Sequence, residues 1–294
     1  MEKRTVFRGV GTALVTPMKD GVIDYKSLSG LIEMQIKAGV GAIVIGGTTG
    51  EAATLSDDER YRLYAFTAER ISGRCPLIFG TGTNDTKSAL RHTALASSVG
   101  CDGILTVTPY YNKGTEDGII AHFLSIAEAS RAPVLLYNVP SRTGVNLSIK
   151  ALYRLSECEN ITGIKEADDS AERLIELSAL SDRLSLYAGN DSALYTTLSL
   201  GGAGVISVLS NAYPHLLNRI YESFTTGDRE GALREQRRIL PIIKAMFFEV
   251  NPAPIKYVLS RLGLIRNELR LPMSVVSWDA KEKIDRLLAE FDLS

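Results

Sequence analysis

Eight short apolar runs, each followed by a longer amphipathic segment, alternate along the first 225 residues of this chain. The runs read as strands at Val10–Thr16, Ala42–Gly46, Pro76–Gly80, Gly103–Thr106, Val134–Asn138, Ile161–Lys165, Ser185–Ala188 and Gly204–Ser207, all short and bounded by turn residues. Between and after them, helical patterns fall near residues 25–38, 57–72, 86–98, 116–129, 148–155, 170–180, 191–200 and 214–225. Ser56 followed by Glu59 predicts a capping box at the start of the second helix. Strand and helix in strict alternation build a parallel sheet, and right-handed crossovers put every helix on the outside. Eight such units close most economically as a (β/α)8 TIM barrel, with an open doubly wound sheet as the alternative. From residue 226 to 294 the pattern is helical alone, with breaks at Asn251-Pro252 and Leu271-Pro272. The expected organisation is therefore a barrel over 1–225 that carries the site. The helical appendage at 226–294 is expected to pack on the barrel or on another subunit and to hold little functional information.

The length of 294 residues suits one barrel, and 45 % hydrophobic residues suffice for its core. Lys plus Arg (33) nearly balances Asp plus Glu (34), so no broad field attracts nucleic acid or an anionic membrane. No apolar run reaches the length of a membrane span, and residues 1–8 are charged without the apolar stretch of a secretory leader. Cys75, Cys101 and Cys158 are odd in number and widely spaced, which fits a reducing compartment, and the expected location is cytoplasmic. His92, His122 and His215 fall on separate helices without metal-ligand spacing and read as surface or helix-end residues.

In a barrel, chemistry gathers at the carboxyl ends of the strands. Lys165 ends the sixth strand, where burial disfavours its ammonium form and leaves more free amine to attack a carbonyl. Tyr137 ends the fifth strand and is placed to pass protons beside it. The loop Gly46-Gly47-Thr48-Thr49-Gly50-Glu51 offers amides and hydroxyls to a small carboxylate, while a phosphate fits it less well for want of the P-loop lysine. Gly80-Thr81-Gly82-Thr83-Asn84 lacks the third glycine of a dinucleotide loop. Arg142, after the fifth strand, has the planar fork that grips a carboxylate.

Four motifs in order, Gly47-Thr48-Thr49-Gly50-Glu51, Thr108-Pro109-Tyr110-Tyr111-Asn112, Tyr137-Asn138-Val139-Pro140-Ser141-Arg142-Thr143-Gly144 and Gly163-Ile164-Lys165-Glu166, closely resemble the dihydrodipicolinate synthase family, also called 4-hydroxy-tetrahydrodipicolinate synthases. The resemblance extends from Val10 to Met273. It implies a class I aldolase-type lyase without a cofactor, in which pyruvate forms a Schiff base on Lys165 and then condenses with L-aspartate 4-semialdehyde in lysine and diaminopimelate biosynthesis. It further implies that Tyr137 donates and accepts protons through Thr48 and Tyr111, that Thr49 binds the pyruvate carboxylate, that Arg142 receives the second carboxylate, and that the Ile206 carbonyl lies near pyruvate. By the same resemblance Tyr111 serves a neighbouring subunit, and the assembly is a homotetramer of two dimers. N-acetylneuraminate lyases are similar in the lysine and tyrosine but typically lack an arginine at the position of Arg142, and more often show Ser-Thr at Thr48-Thr49. Other 2-oxo acid aldolases, a phosphate-binding barrel and a non-catalytic scaffold are the remaining alternatives. Members inhibited by lysine line a pocket with residues of which Asn84 and Tyr110 match here. Asp57 and Ser88 replace the expected histidine and glutamate, so weak or absent inhibition is expected.

Overall fold

The computed structural model of the protein describes residues 5–291; the charged start at 1–4 lies outside the described residues. Strands β1 (Gly9–Ala13), β2 (Ala42–Ile45), β3 (Leu77–Gly80), β4 (Gly103–Val107), β5 (Val134–Asn138), β6 (Ile161–Glu166), β7 (Ser185–Ala188) and β8 (Gly204–Ser207) are parallel and follow one another around a closed barrel. β1 pairs with both β2 and β8, so the open sheet is overturned. β1 ends earlier than its apolar run predicts, because Val15 turns its amide to the Asn211 side chain at 2.9 Å and Thr16 its hydroxyl to Gly50 at 2.7 Å. A two-stranded hairpin, Met18–Lys19 with Val22–Ile23, decorates the barrel where Asp20 and Gly21 both take positive φ.

Alternation along each strand sends side chains to two cores. Ala42, Val44, Ile78, Leu105, Leu135 and Ile206 fill the barrel, and Tyr187 stacks on Phe7 at 4.4 Å below them. Ile43, Ile45, Phe79, Leu136 and Ile164 face outward to the helices. On β6 this parity turns Glu166 outward with Ile164 and leaves Lys165 inside. Gly163, two residues before Lys165, must lack a side chain, since a Cβ there would come within 2.7 Å of the Ser185 carbonyl and 2.8 Å of Leu135.

Helix α2 (Asp57–Ile71) opens with the predicted capping box of Ser56 and Glu59. The other helices of the barrel are α1 (Tyr25–Lys37), α3 (Thr86–Val99), α4 (Glu116–Ala129), the single turn α5 (Pro140–Thr143), α6 (Ile149–Ser156), α7 (Ala171–Ser178), α8 (Leu194–Ser199) and α9 (Pro214–Thr225), of which α3 and α5 lend residues to the site. Beyond the barrel, α10 (Arg229–Ala245) packs on α9 and on α12 (Trp278–Glu290), which also meets α11 (Ala253–Arg261). The stretch predicted to stay helical to Val250 stops at Ala245, where Met246 and Phe247 close the end with i to i−3 hydrogen bonds.

Candidate active site

Lys165 and Tyr137 are direct partners in the register of β5 and β6, and the lysine Nζ lies 4.4 Å from the centre of the phenol ring. Only 5 % of Lys165 is exposed. Burial lowers its pKa to about 8; the charge of Asp191 opposes that shift and the charge of Arg142 adds to it. A buried amine with a lowered pKa is a group that can attack a carbonyl. Tyr137 is buried and its pKa is raised, chiefly by desolvation, against a hydrogen bond with Thr48 and the charge of Arg142. A phenol held neutral beside an amine can give a proton and take it back.

A cavity of about 450 Å³ opens over this pair, with Thr48, Tyr110, Tyr137 and Arg142 in its wall. Tyr137, the wall residue against whose ring Lys165 Nζ packs, links the lysine to this cavity. The loop after β2 is drawn tightly under the cavity. Gly80 accommodates it, since a Cβ there would sit 2.2 Å from the Gly46 carbonyl. Glu51 ends the loop in the left-handed region, buried and ion-paired to Lys256 of α11. Thr49 is buried in the same loop, and Ile206 is fully buried on β8. Tyr111 stands apart: it takes φ 72° and is 87 % exposed.

Asn84 lies in the loop after β3 and Tyr110 in the loop after β4. The Asn84 carbonyl accepts from the Asn112 side chain at 2.9 Å, and Tyr110 shares the cavity wall with Thr83 and His92. Asp57 is bound by Arg91 at 2.6 Å and His92 at 3.1 Å, and Ser88 by Asp85 at 2.6 Å. The histidine reading needs correction in two places. His92 and His122 are buried rather than at the surface, His122 so deeply that desolvation lowers its pKa to about 4. No cluster of three potential metal ligands occurs among the described residues.

Sequence reasoning missed the part played by the appendage. Asn251 donates from Nδ2 to Thr49 Oγ1 at 3.0 Å and accepts Arg142 Nη2 on its carbonyl at 3.2 Å, tying together two candidate carboxylate holders. Pro252, Pro272 and Met273 join it in the cavity wall. The proline-marked breaks at Asn251-Pro252 and Leu271-Pro272 were the available signal, since chain that leaves a helix beside a barrel mouth is free to line it.

A sequence model of the dihydrodipicolinate synthetase family matches residues 6–291. The chain belongs to this family. It is 41 % identical over 289 residues to a 4-hydroxy-tetrahydrodipicolinate synthase of Clostridium novyi, covering 98 % of each chain. Among solved structures it is similar to a dihydrodipicolinate synthase from Thermotoga maritima, with 38 % identity, a TM-score of 0.96, and coverage of 99 % of this chain and 100 % of that one. It is similar also to the chloride-inhibited dihydrodipicolinate synthase of Acinetobacter baumannii complexed with pyruvate, at 38 % identity and a TM-score of 0.94, covering 97 % and 99 %.

Proposed function

We propose that Lys165 forms a Schiff base with pyruvate and that the derived enamine attacks the aldehyde of L-aspartate 4-semialdehyde. The activity is that of a 4-hydroxy-tetrahydrodipicolinate synthase, a class I aldolase-type lyase of lysine and diaminopimelate biosynthesis. The observation that carries the mechanism is the buried Lys165 amine packed 4.4 Å from the Tyr137 ring at the mouth of the barrel. Tyr137 moves protons during carbinolamine formation and dehydration, with Thr48 as its partner and Tyr111 supplied by a neighbouring subunit. The exposure of Tyr111 supports that last assignment, because a proton relay needs cover from water.

Thr49 holds the pyruvate carboxylate, the Ile206 carbonyl faces the bound keto acid, and Arg142 receives the carboxylate of the second substrate. Asn251 fixes Thr49 and Arg142 relative to each other. Arg142 and the Thr48-Thr49 pair favour the synthase over N-acetylneuraminate lyase. The working assembly is a homotetramer of two dimers, and residues 226–294 form an appendage that completes the site of the 1–225 barrel. The three free cysteines support a cytoplasmic location. No helix among the described residues is long and apolar enough to cross a membrane.

Borohydride reduction in the presence of pyruvate, followed by peptide mass mapping, tests the chemistry. A pyruvate-derived adduct is expected on Lys165; turnover with Lys165 left unmodified would exclude the Schiff base. Supplying N-acetylmannosamine in place of aspartate semialdehyde should give no condensation.

A further inference from the structure

Asp191 is a strand-end acid to which the chemistry above gives no task. It follows β7, opens a 3-10 turn over Asp191–Ala193, and is 1 % exposed. Its Oδ2 accepts the amides of Val208 at 3.1 Å and Leu209 at 2.9 Å, just past the end of β8. Its Oδ1 has no partner at hydrogen-bond distance, and burial raises the pKa of the carboxyl while the two amides and the Ser207 side chain favour its charged form. A carboxylate with an idle buried oxygen is costly, and an asparagine could satisfy the same two amides without a charge.

The cost is understandable if the charge itself is needed. Lys165 is buried one strand away, level with Tyr187 of β7, and the loop four residues beyond Tyr187 carries Asp191 at the same mouth. Among the described residues no acid forms an ion pair with Lys165, yet the charges of Asp191 and Lys165 stabilise each other. Arg142 of α5 acts on Lys165 in the opposite sense, Tyr137 of β5 stays neutral, and Glu166 is engaged outward with Asn138 and Arg173.

We propose that Asp191 is the counter-ion of the Schiff base on Lys165, offsetting the positive charge that iminium formation fixes inside the barrel. The inference rests on the Schiff-base reading. The lone pair of neutral Nζ forms a bond to the keto carbon of pyruvate. The keto oxygen then leaves as water, taking one hydrogen from Nζ and one from the acid that protonates it, and the nitrogen keeps one hydrogen and a positive charge. In water that charge is solvated; in a buried site it needs a fixed anion.

The test compares full-length wild type with Asp191→Asn, which keeps an oxygen for the Val208 and Leu209 amides. Each is incubated with limiting pyruvate across a pH series and reduced with borohydride, and the Lys165 adduct is quantified. The adduct of the variant should begin to fall roughly one pH unit lower than that of wild type and lie roughly tenfold below it above about pH 8, because losing the anion favours the neutral amine over both the ammonium and the iminium. Unchanged adduct yield and pH midpoint, even with a lower melting temperature, would make Asp191 a structural cap and overturn the proposal. Wild type that fails to label at Lys165 would instead overturn the Schiff-base reading beneath it. Should Asp191→Asn not fold, Asp191→Ser carries the same comparison with an acceptor on a smaller side chain.

Discussion

A lysine attacks a carbonyl only in the fraction that has lost its proton, and desolvation sets that fraction for Lys165. With a pKa of about 8 in place of 10.5, roughly a tenth of the amine is free at pH 7 rather than less than a thousandth. The rate of pyruvate labelling should therefore climb with pH through about 8 and level off above it; an inflection near 10 would show that the amine is not desolvated. Tyr137→Phe keeps the ring against Nζ but removes the proton. It should lower kcat by about 10²- to 10⁴-fold while leaving the KM for pyruvate nearly unchanged, as steady-state kinetics would show. Both residues are legible in the sequence because their place follows from topology: each ends an apolar strand, and consecutive strands are neighbours. Asp191 is not legible in the same way. In Gly189-Asn190-Asp191 it looks like an ordinary turn and helix start, and only the closed barrel carries Val208 and Leu209 to it.

At the scale of elements, the loop after β2 is clamped from above by the helices that follow the barrel. Lys256 of α11 is fully buried against Glu51 and also donates to the Glu268 carbonyl at 2.9 Å. Arg270 closes the other side, its amide reaching Glu51 Oε2 at 3.0 Å and its guanidinium gripping Glu59 of α2, whose pKa falls to about 2. Removing one partner strands a buried charge, so Lys256→Met should cost about 3–5 kcal/mol in a denaturant titration. Replacing Glu51 with Gln in the same chain should recover part of that loss. On the α3 side, Asp57 and Ser88 are already engaged with side chains of this chain, and neither supplies what the lysine-inhibited pattern needs. Activity should stay level as L-lysine is raised through physiological concentrations; a dose-dependent fall would refute this. The helices α2 and α9 are legible from caps and proline starts, whereas these clamps join residues about two hundred positions apart and leave no local pattern.

At the scale of the whole molecule, the barrel is legible because each of its eight strands is a short apolar run between turn signals. The inward and outward parity that buries Lys165 then follows from the period of two. The assembly is less legible, since exposed side chains carry no periodic signature. If Tyr111 crosses to a neighbour, two inactive variants should repair each other. Mixing Lys165→Ala with Tyr111→Phe subunits, then allowing exchange, should restore about a quarter of wild-type activity, because each mixed dimer holds one intact site. No recovery after confirmed exchange would keep the relay within one chain. The contrast between Tyr137, 7 % exposed, and Tyr111, 87 % exposed, then has a kinetic meaning. A lone subunit already owns its nucleophile but borrows half of its proton path, so dilution should divide the reaction: capture of pyruvate by each chain stays proportional to protein, while turnover falls with the square of its concentration.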